Sequence, residues 1–241
     1  GLGLGYNEDL MTELALRSDG NHHFVEDADA LAMIFNQEFG DVLSVVAQDV
    51  QIKIECEDGI RPVRVLGRTA TIDGRTVHVG LNQLYSNQDK YVLLEVETAP
   101  TLSGDEVDIA EVSMTYANMA TREKDEQSTM ISARISDSEE AVQARVDRQS
   151  MVAAVQQQGI LNEEQAIRLR DEGKVAEAEE VLRANALYYQ RNAELYEDAD
   201  LSVGADRSRA AVENLEGARW NQQRKEMRSD HYKGKVQQGS R

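Results

Sequence analysis

Apolar residues near the start of the chain recur at helical spacing and indicate two helices separated by a short strand. The first helix begins after Asn7, a suitable capping residue, and carries the apolar stripe Leu10, Met11 and Leu14. Residues 22–25 favour a short strand. The second helix, predicted over 28–47, has apolar residues three and four positions apart: Leu31, Ile34, Phe35, Phe39, Val42 and Val46.

This order is typical of an α/β sheet with covering helices, and residues 1–5 suit the end of a buried strand. One complete strand cannot form a parallel sheet, so we expect the rest of the sheet upstream of Gly1. The second helix and the open edges of the short strand would then be uncovered. We therefore expect residues 1–47 to pack onto another copy of the chain or to be poorly ordered.

The apolar period changes to two between residues 49 and 137. Val50, Ile52, Ile54 and Cys56 alternate with polar residues, which predicts a strand with one buried face. Six further short β-prone segments follow, separated by turn residues. Seven short strands in this length favour an antiparallel sandwich.

Two local signals refine this β region. Asp73-Gly74 lies between β-prone segments and predicts a hairpin that returns through Val77 and Val79. In the segment 107–116 the alternation changes parity between Ile109 and Ala110, which indicates a β-bulge.

The last hundred residues have helical spacing. Asp137 and Glu140 form a predicted capping pair for a helix that ends at Gly159, and Asn162 caps the next one. An αα-hairpin is then predicted from its small and apolar positions: Ala166, Leu169, Gly173, Ala178 and Leu182. A single hairpin cannot bury its own face as a repeat protein does, so an ordinary hairpin packed on the sandwich is favoured.

The segment 205–231 carries few large apolar residues and predicts a loosely held helix, followed by a disordered tail through 239–241.

Charge is abundant and unevenly placed. The 241 residues have a net charge of −18, with 41% hydrophobic and 29% charged residues, which suits a folded protein and argues against nucleic acid as the main partner. Residues 1–60 carry two basic side chains, Arg17 and Lys53, against 13 acidic ones, whereas 201–241 are net basic. The basic end is either a solvated tail or a segment that contacts an acidic partner. No apolar run is long enough for a membrane helix.

The residue types that carry chemistry are not arranged for it. His22 and His23 would point to opposite faces of a strand, so a surface or hydrogen-bonded pair is favoured over a metal site. Cys56 shares a face with Ile52 and Ile54 and is expected to be a buried, inert thiol. The sequence contains no nucleophile elbow, zinc-binding His pair or phosphate loop.

Residues 1–47 resemble the last third of a von Willebrand factor type A (vWA) domain, of the kind found in bacterial proteins called calcium-activated chloride channel homologues. The resemblance rests on the phrase GLGLGYNEDLM at 1–11, on DGNHHFVED at 19–27 and on IFNQEFG at 34–40. It implies that a β-sandwich follows, as it often does in this family, and it suggests the cell envelope or an extracytoplasmic location.

The family's metal-ion-dependent adhesion site comes from an Asp-x-Ser-x-Ser turn and later Thr and Asp residues. All of these positions lie upstream of the segment matched here, and Asp137-Ser138-Glu139 fails the pattern at its third residue. No catalytic, cofactor-binding or metal residue is therefore assigned, and Mg²⁺ is expected only in a complete vWA domain.

The sequence predicts an α+β protein in three parts: a vWA remnant at 1–47, a β-sandwich at 48–137 and a helical region with a basic, partly disordered tail at 138–241. Its predicted function is non-enzymatic binding of a protein partner, in a fragment that lacks the adhesion site. The alternative is an oligomeric scaffold or assembly factor that uses the helical region and the acidic surface.

Overall fold

The computed structural model describes residues 3, 5–18, 20–25, 31–42, 45–99, 104–217 and 219–237. Contacts divide the chain into two compact units. The helical unit is Gly1–Leu31 together with Asp147–Gln238, and the sheet unit is Ala32–Val146. The predicted tripartite division at 47 and 137 follows sequence pattern and stays a prediction.

The sheet unit contains a helix, seven strands and a short second helix. Their bounds are α2 Leu31–Val42, β1 Val45–Cys56, β2 Ile60–Leu66, β3 Thr71–Asp73, β4 Thr76–Tyr85, β5 Leu93–Thr98, β6 Gly104–Asn118, β7 Lys124–Ile135 and α3 Glu139–Gln143. Five strands form an antiparallel sheet in the order β3-β4-β1-β6-β7, and β2 pairs with β5 in a second, two-stranded sheet. Each of the seven predicted strands is present.

The alternation predicted for β1 is confirmed. Val50, Ile54 and Cys56 are buried, with 0%, 7% and 4% of their surface exposed, while Gln51 and Glu55 are exposed. Asp49 has a positive φ of 51°, and the pairing with β6 shifts register between Gln48 and Gln51. The extra residue keeps the apolar side chains before and after it on one face.

The predicted hairpin and bulge are also confirmed. Asp73 pairs with Thr76, so the turn residues are Gly74, with a φ of 59°, and Arg75. On the return strand Val77 and Val79 are buried. The β6–β7 register shifts between Asp108 and Ala110, which leaves Ile109 as the extra residue.

The core of the sheet unit lies between its two sheets. Its buried members are Ile54, Cys56, Ile60, Val77, Val79 and Ala110. Partly buried residues of β2 and β5, including Val65, Leu94 and Val96, pack against them. The two-stranded sheet therefore covers one end of the inner face of the larger sheet.

The helical unit contains five helices. They are α1 Glu8–Ser18, α4 Arg148–Asp171, α5 Val175–Tyr196, α6 Ala199–Asn214 and α7 Trp220–Val236. Ala166, Ala178 and Leu182, three of the residues that predicted the hairpin, are fully buried between α4 and α5. The two helices join through Gly173, whose φ is 81°.

The predicted helix break at Gly159 is wrong, because α4 runs through it without interruption. Glycine is required there by packing: an added Cβ would lie 2.1 Å from the ring of Tyr189 in α5. Asn162 likewise does not cap a helix but donates a hydrogen bond to Asn185 at 2.9 Å. The start predicted at Asp137 is replaced by two separate caps, Ser138 for α3 and Asp147 for α4.

The loosely held helix predicted for 205–231 is also wrong. Leu215, Trp220, Met227 and Tyr232 are each at most 2% exposed. Few apolar residues are present in this segment, but nearly all of them point into the core, which a count of apolar residues does not reveal. The predicted disordered tail at 239–241 lies outside the described residues.

The second helix is shorter than predicted, because α2 ends at Val42 and Val46 already belongs to β1. Of its predicted apolar stripe, Phe35 is 56% exposed, while the side chains of Phe39 and Val42 lie outside the described residues. In the predicted strand 22–25 only Val25 forms a bridge, and its carbonyl accepts a hydrogen bond from the amide of Gly3 at 2.8 Å.

Among the helices that the structure describes, none is both long and apolar enough to cross a membrane.

The register of β1 can be tested by truncation. We expect Ile54→Ala to lower the free energy of unfolding of the sheet unit by about 2–5 kcal/mol, because it leaves a cavity in the core. Lys53→Ala should change it by less than about 0.5 kcal/mol, since that side chain lies at the surface in an ion pair with Glu55. Urea unfolding of both variants measures this, and equal losses would contradict the assigned register.

Candidate interaction surface and buried charge network

An apolar groove lies at the end of the larger sheet where β1 begins. It has a volume of about 490 Å³. The lining comes from β1, the end of β4, the last residues of β6, the turn to β7 and β7 itself: Val45, Val46, Ala47, Leu84, Met114, Tyr116, Asn118, Met119, Ala120 and Gln127.

The floor and rim of this groove differ in exposure. Ala47 is buried and packs in a small cluster with Val50 and Leu81, against which Met114 and Tyr116 also lie. Val46 and Met119, in contrast, are 47% and 42% exposed. The backbone amide of Met119 donates a hydrogen bond to the carbonyl of Val46, with 3.0 Å between N and O, and this bond connects the two sides of the rim.

Among the described residues, the lining of the groove contains no carboxylate, ammonium, guanidinium, imidazole or thiol. Its polar groups are two side-chain amides and the hydroxyl of Tyr116, which accepts a hydrogen bond from Gln127 at 3.4 Å. Such a surface can hold apolar side chains.

A different kind of site lies inside the helical unit, where a carboxylate is completely buried. Glu163 of α4 has 0% of its surface exposed and accepts hydrogen bonds from Ser208 at 2.9 Å and from Arg207 Nε at 3.2 Å. Its other oxygen lies 2.6 Å from Nε2 of His231 in α7. Asn185 of α5 extends the network by donating to Ser208 at 3.1 Å.

These contacts decide the charge state of Glu163. Burial by itself would raise the pKa of the carboxyl group, but the hydrogen bond from His231 and the charge of Arg207 outweigh burial and hold the pKa below its usual range. The same carboxylate raises the pKa of Arg207. The charge of the Glu163 carboxylate is thus balanced inside the helical unit by Arg207 and by hydrogen bonds from Ser208 and His231.

Basic residues of α7 bind the acidic start of α1. Arg224 forms ion pairs with Glu8, with Asp9 at 2.7 Å and with Asp171 at 2.9 Å. Lys225, only 4% exposed, pairs with Glu8 and donates to the carbonyl of Tyr6 at 2.7 Å. These partners hold the pKa values of Glu8 and Asp9 below their usual range despite partial burial.

The basic end of the chain therefore has an acidic partner within the same unit. Helix α1 packs on α7. The predicted association of residues 1–47 with another copy stays a prediction.

The histidine pair differs from the prediction. His22 is buried, with 3% exposure, beside the rings of Tyr6 and Tyr232. Neither of its ring nitrogens has a hydrogen-bond partner among the described residues, so it is neither at the surface nor hydrogen-bonded there. Burial lowers the pKa of His22 to about 4.

The predicted buried position of Cys56 is confirmed. Cys56 is a free, buried thiol whose pKa burial raises. Within the described ranges, no three His, Cys, Asp or Glu side chains converge as metal ligands would. The Glu163 network was missed by sequence reasoning, because its partners lie 44 to 68 positions away and no local pattern connects them.

Comparison with known proteins places the fold. No protein-family model and no curated protein matches the sequence. Solved structures do match: a von Willebrand factor type A protein from Catenulispora acidiphila has a TM-score of 0.63 at 14% identity over 89% of this chain. The chain has a vWA-like fold.

Two further structures are similar. The ArnB paralog VWA2 from Sulfolobus acidocaldarius has a TM-score of 0.56 at 18% identity over 98% of this chain, and the human COPII-coat protein Sec24c has 0.53 at 15% over 87%. The chain covers 49% of the first protein, 54% of VWA2 and 28% of Sec24c. It therefore spans about half the length of the first two.

The buried histidine predicts a pH dependence of the helical unit. His22 titrates near its usual pKa when unfolded and near 4 when folded, so the unfolded state binds the proton first as pH falls. We expect up to about 3 kcal/mol of stability, present above pH 6.5, to be lost between pH 6.5 and 4.

Fluorescence of the single tryptophan, Trp220, reports unfolding of this unit. His22→Phe should remove this part of the pH dependence, and His23→Phe should leave it in place. An unchanged pH profile in His22→Phe would show that the buried imidazole is not its cause.

Proposed function

We propose that the chain is part of a non-enzymatic, adhesion-type vWA protein and that the apolar groove of the sheet unit binds apolar side chains of a protein partner. The observation that carries the proposal is that Val46 and Met119 form an exposed rim around an apolar groove of about 490 Å³. Exposed, concave apolar surface of this kind is typical of protein-binding sites.

The vWA-like fold is consistent with a protein-interaction domain. On this proposal residues 1–47 are the end of a vWA domain and 48–137 its companion β-sandwich, as in the chloride channel homologues that the sequence resembles. A metal-ion-dependent adhesion site would then belong to the upstream part, and no Mg²⁺ site is proposed in this chain.

The second candidate function is an oligomeric scaffold that uses the helical unit. Leu187, Leu195 and Val203 are 55–62% exposed on helices α5 and α6, and contact with another copy would remove this apolar surface from water. One of the similar structures, human Sec24c, is a coat protein.

A peptide selection distinguishes the two surfaces. We expect a random 12-residue peptide library, selected on the chain, to yield sequences with apolar anchors. Val46→Glu and Met119→Glu should weaken their binding at least about tenfold, because each places a charge at the groove.

Ile72→Glu is the matched control, since Ile72 is also exposed, at 38%, but lies on β3 outside the groove. Peptides that bind Val46→Glu as tightly as the original chain would contradict the groove as the binding site. Loss of their binding in Leu187→Glu and Leu195→Glu would instead favour the helical surface.

A further inference from the structure

One edge of the larger sheet is long, open and exposed. Strand β7, Lys124–Ile135, is the last in the order β3-β4-β1-β6-β7, and its other side has no strand partner among the described residues. Ten of its 12 residues are exposed. The opposite edge strand, β3, has three residues and offers little backbone for pairing.

The composition of β7 does not protect this edge. Residues 127–133 contain no charge, proline or glycine, whereas natural edge strands are usually blunted by such residues. Apolar Met130 and Ile131 are 45% and 49% exposed on the two faces. The strand has no net charge, because the positive charges of Lys124 and Arg134 balance the negative charges of Asp125 and Glu126. The whole chain, in contrast, carries −18.

We propose that β7 pairs with β7 of a second copy of this chain, antiparallel and across a two-fold axis at Met130. The two five-stranded sheets would then join into one continuous sheet. In this register, each residue before Met130 lies opposite the residue of the second copy that is the same number of positions after Met130. Residues 125–135 of the two copies are paired. Glu126 of each copy lies opposite Arg134 of the other, so two complementary charge pairs flank an uncharged centre.

The charges select this register over its neighbours. Facing residues in an antiparallel pair must lie on the same side of the sheet. A two-fold axis normal to the sheet must therefore place one residue opposite its own copy, and cannot place it opposite the copy of its neighbour in sequence. An axis at Thr129 would place Lys124 opposite Arg134, which is repulsive. An axis at Ile131 would leave Glu126 opposite Ser136, beyond the end of the strand.

The apolar residues also match. Met130 meets its own copy on one face, and Ile131 meets Thr129 of the second copy on the other face, where Ile131 is next to Ala110 of β6. Both exposed apolar side chains would lose contact with water, which favours association. The dimer is tested independently of the proposed function, because the rim residues Val46 and Met119 are not on β7, which supplies Gln127 to the groove lining.

Sedimentation equilibrium of the 241-residue chain tests the state of association. We expect a concentration-dependent species at twice the 26.9 kDa of one chain, with no larger oligomers, because the pairing uses up the edge. A chain that stays monomeric up to about 200 µM would overturn the proposal.

Charge reversal tests the register. Glu126→Arg and Arg134→Glu each place like charges opposite one another, so each alone should weaken the dimer at least about tenfold. Mixed together, the two variants should form a heterodimer, because both charge pairs are restored. Glu216→Arg is the control for net charge, since Glu216 is exposed in the helical unit and should leave the dimer unchanged. A dimer that survives both single reversals would overturn the register.

Disulfide formation locates the axis. Met130→Cys should cross-link two copies on mild oxidation, since facing Cα atoms in an antiparallel pair are about 4.5–5.5 Å apart. Gln127→Cys should not, because its copies would lie about 20 Å apart along the strands. The natural Cys56 is buried. Cross-linking of Gln127→Cys and not of Met130→Cys would contradict an axis at Met130.

Discussion

The helical unit depends on one buried carboxylate and the charges that compensate it. Glu163 is completely removed from water, which is costly for a charged group unless it is paired and hydrogen-bonded. Arg207 and Ser208 supply this from α6 and His231 from α7. Because each partner is on a different helix from Glu163, the helices must hold one mutual arrangement to keep the network satisfied.

Helix α7 connects this buried network to the first helix of the chain. One side of the helix supplies His231 to the buried network, and another supplies Arg224 and Lys225 to the acidic residues Glu8 and Asp9. Part of the uneven charge of the sequence thus has a structural explanation, because basic residues of α7 pair with Glu8 and Asp9 of α1 within the unit. In the sheet unit, the apolar groove and the open edge of β7 are the surfaces proposed for interaction with other molecules.

Local pattern was enough to predict the seven strands of the sheet unit. A period of two in β1, the Asp73-Gly74 turn and the parity change at Ile109 each report the environment of a few neighbouring residues, and the structure has all three features. The helical unit was predicted less well, because its decisive contacts are distant in sequence. Gly159 ends a helix by local preference, yet Tyr189, 30 positions later, needs the space that glycine leaves.

The large sequence distance between contacting residues also explains why the candidate sites were not predicted from the sequence. No motif connects Glu163 with Arg207 and His231, and the groove combines short pieces of four strands that are apolar for reasons of packing. The resemblance of residues 1–47 to the vWA family was informative about the fold. Solved structures of vWA proteins match 89% and 98% of the chain.

The most direct test of this account is Glu163→Gln, with Glu164→Gln as its matched neighbour. Removing the buried charge leaves Arg207 with the more distant Asp230, at 4.0 Å, as its ion-pair partner among the described residues. Glu163→Gln should therefore lower the stability of the helical unit by about 3–5 kcal/mol and speed amide hydrogen exchange in α7 and α1 together. Glu164 is partly exposed, at 14% of its side chain, and pairs with Lys235, so its charge is better screened and its change should cost less than Glu163→Gln. Equal stability of the two variants, or faster exchange in α4 alone, would contradict the central role of Glu163.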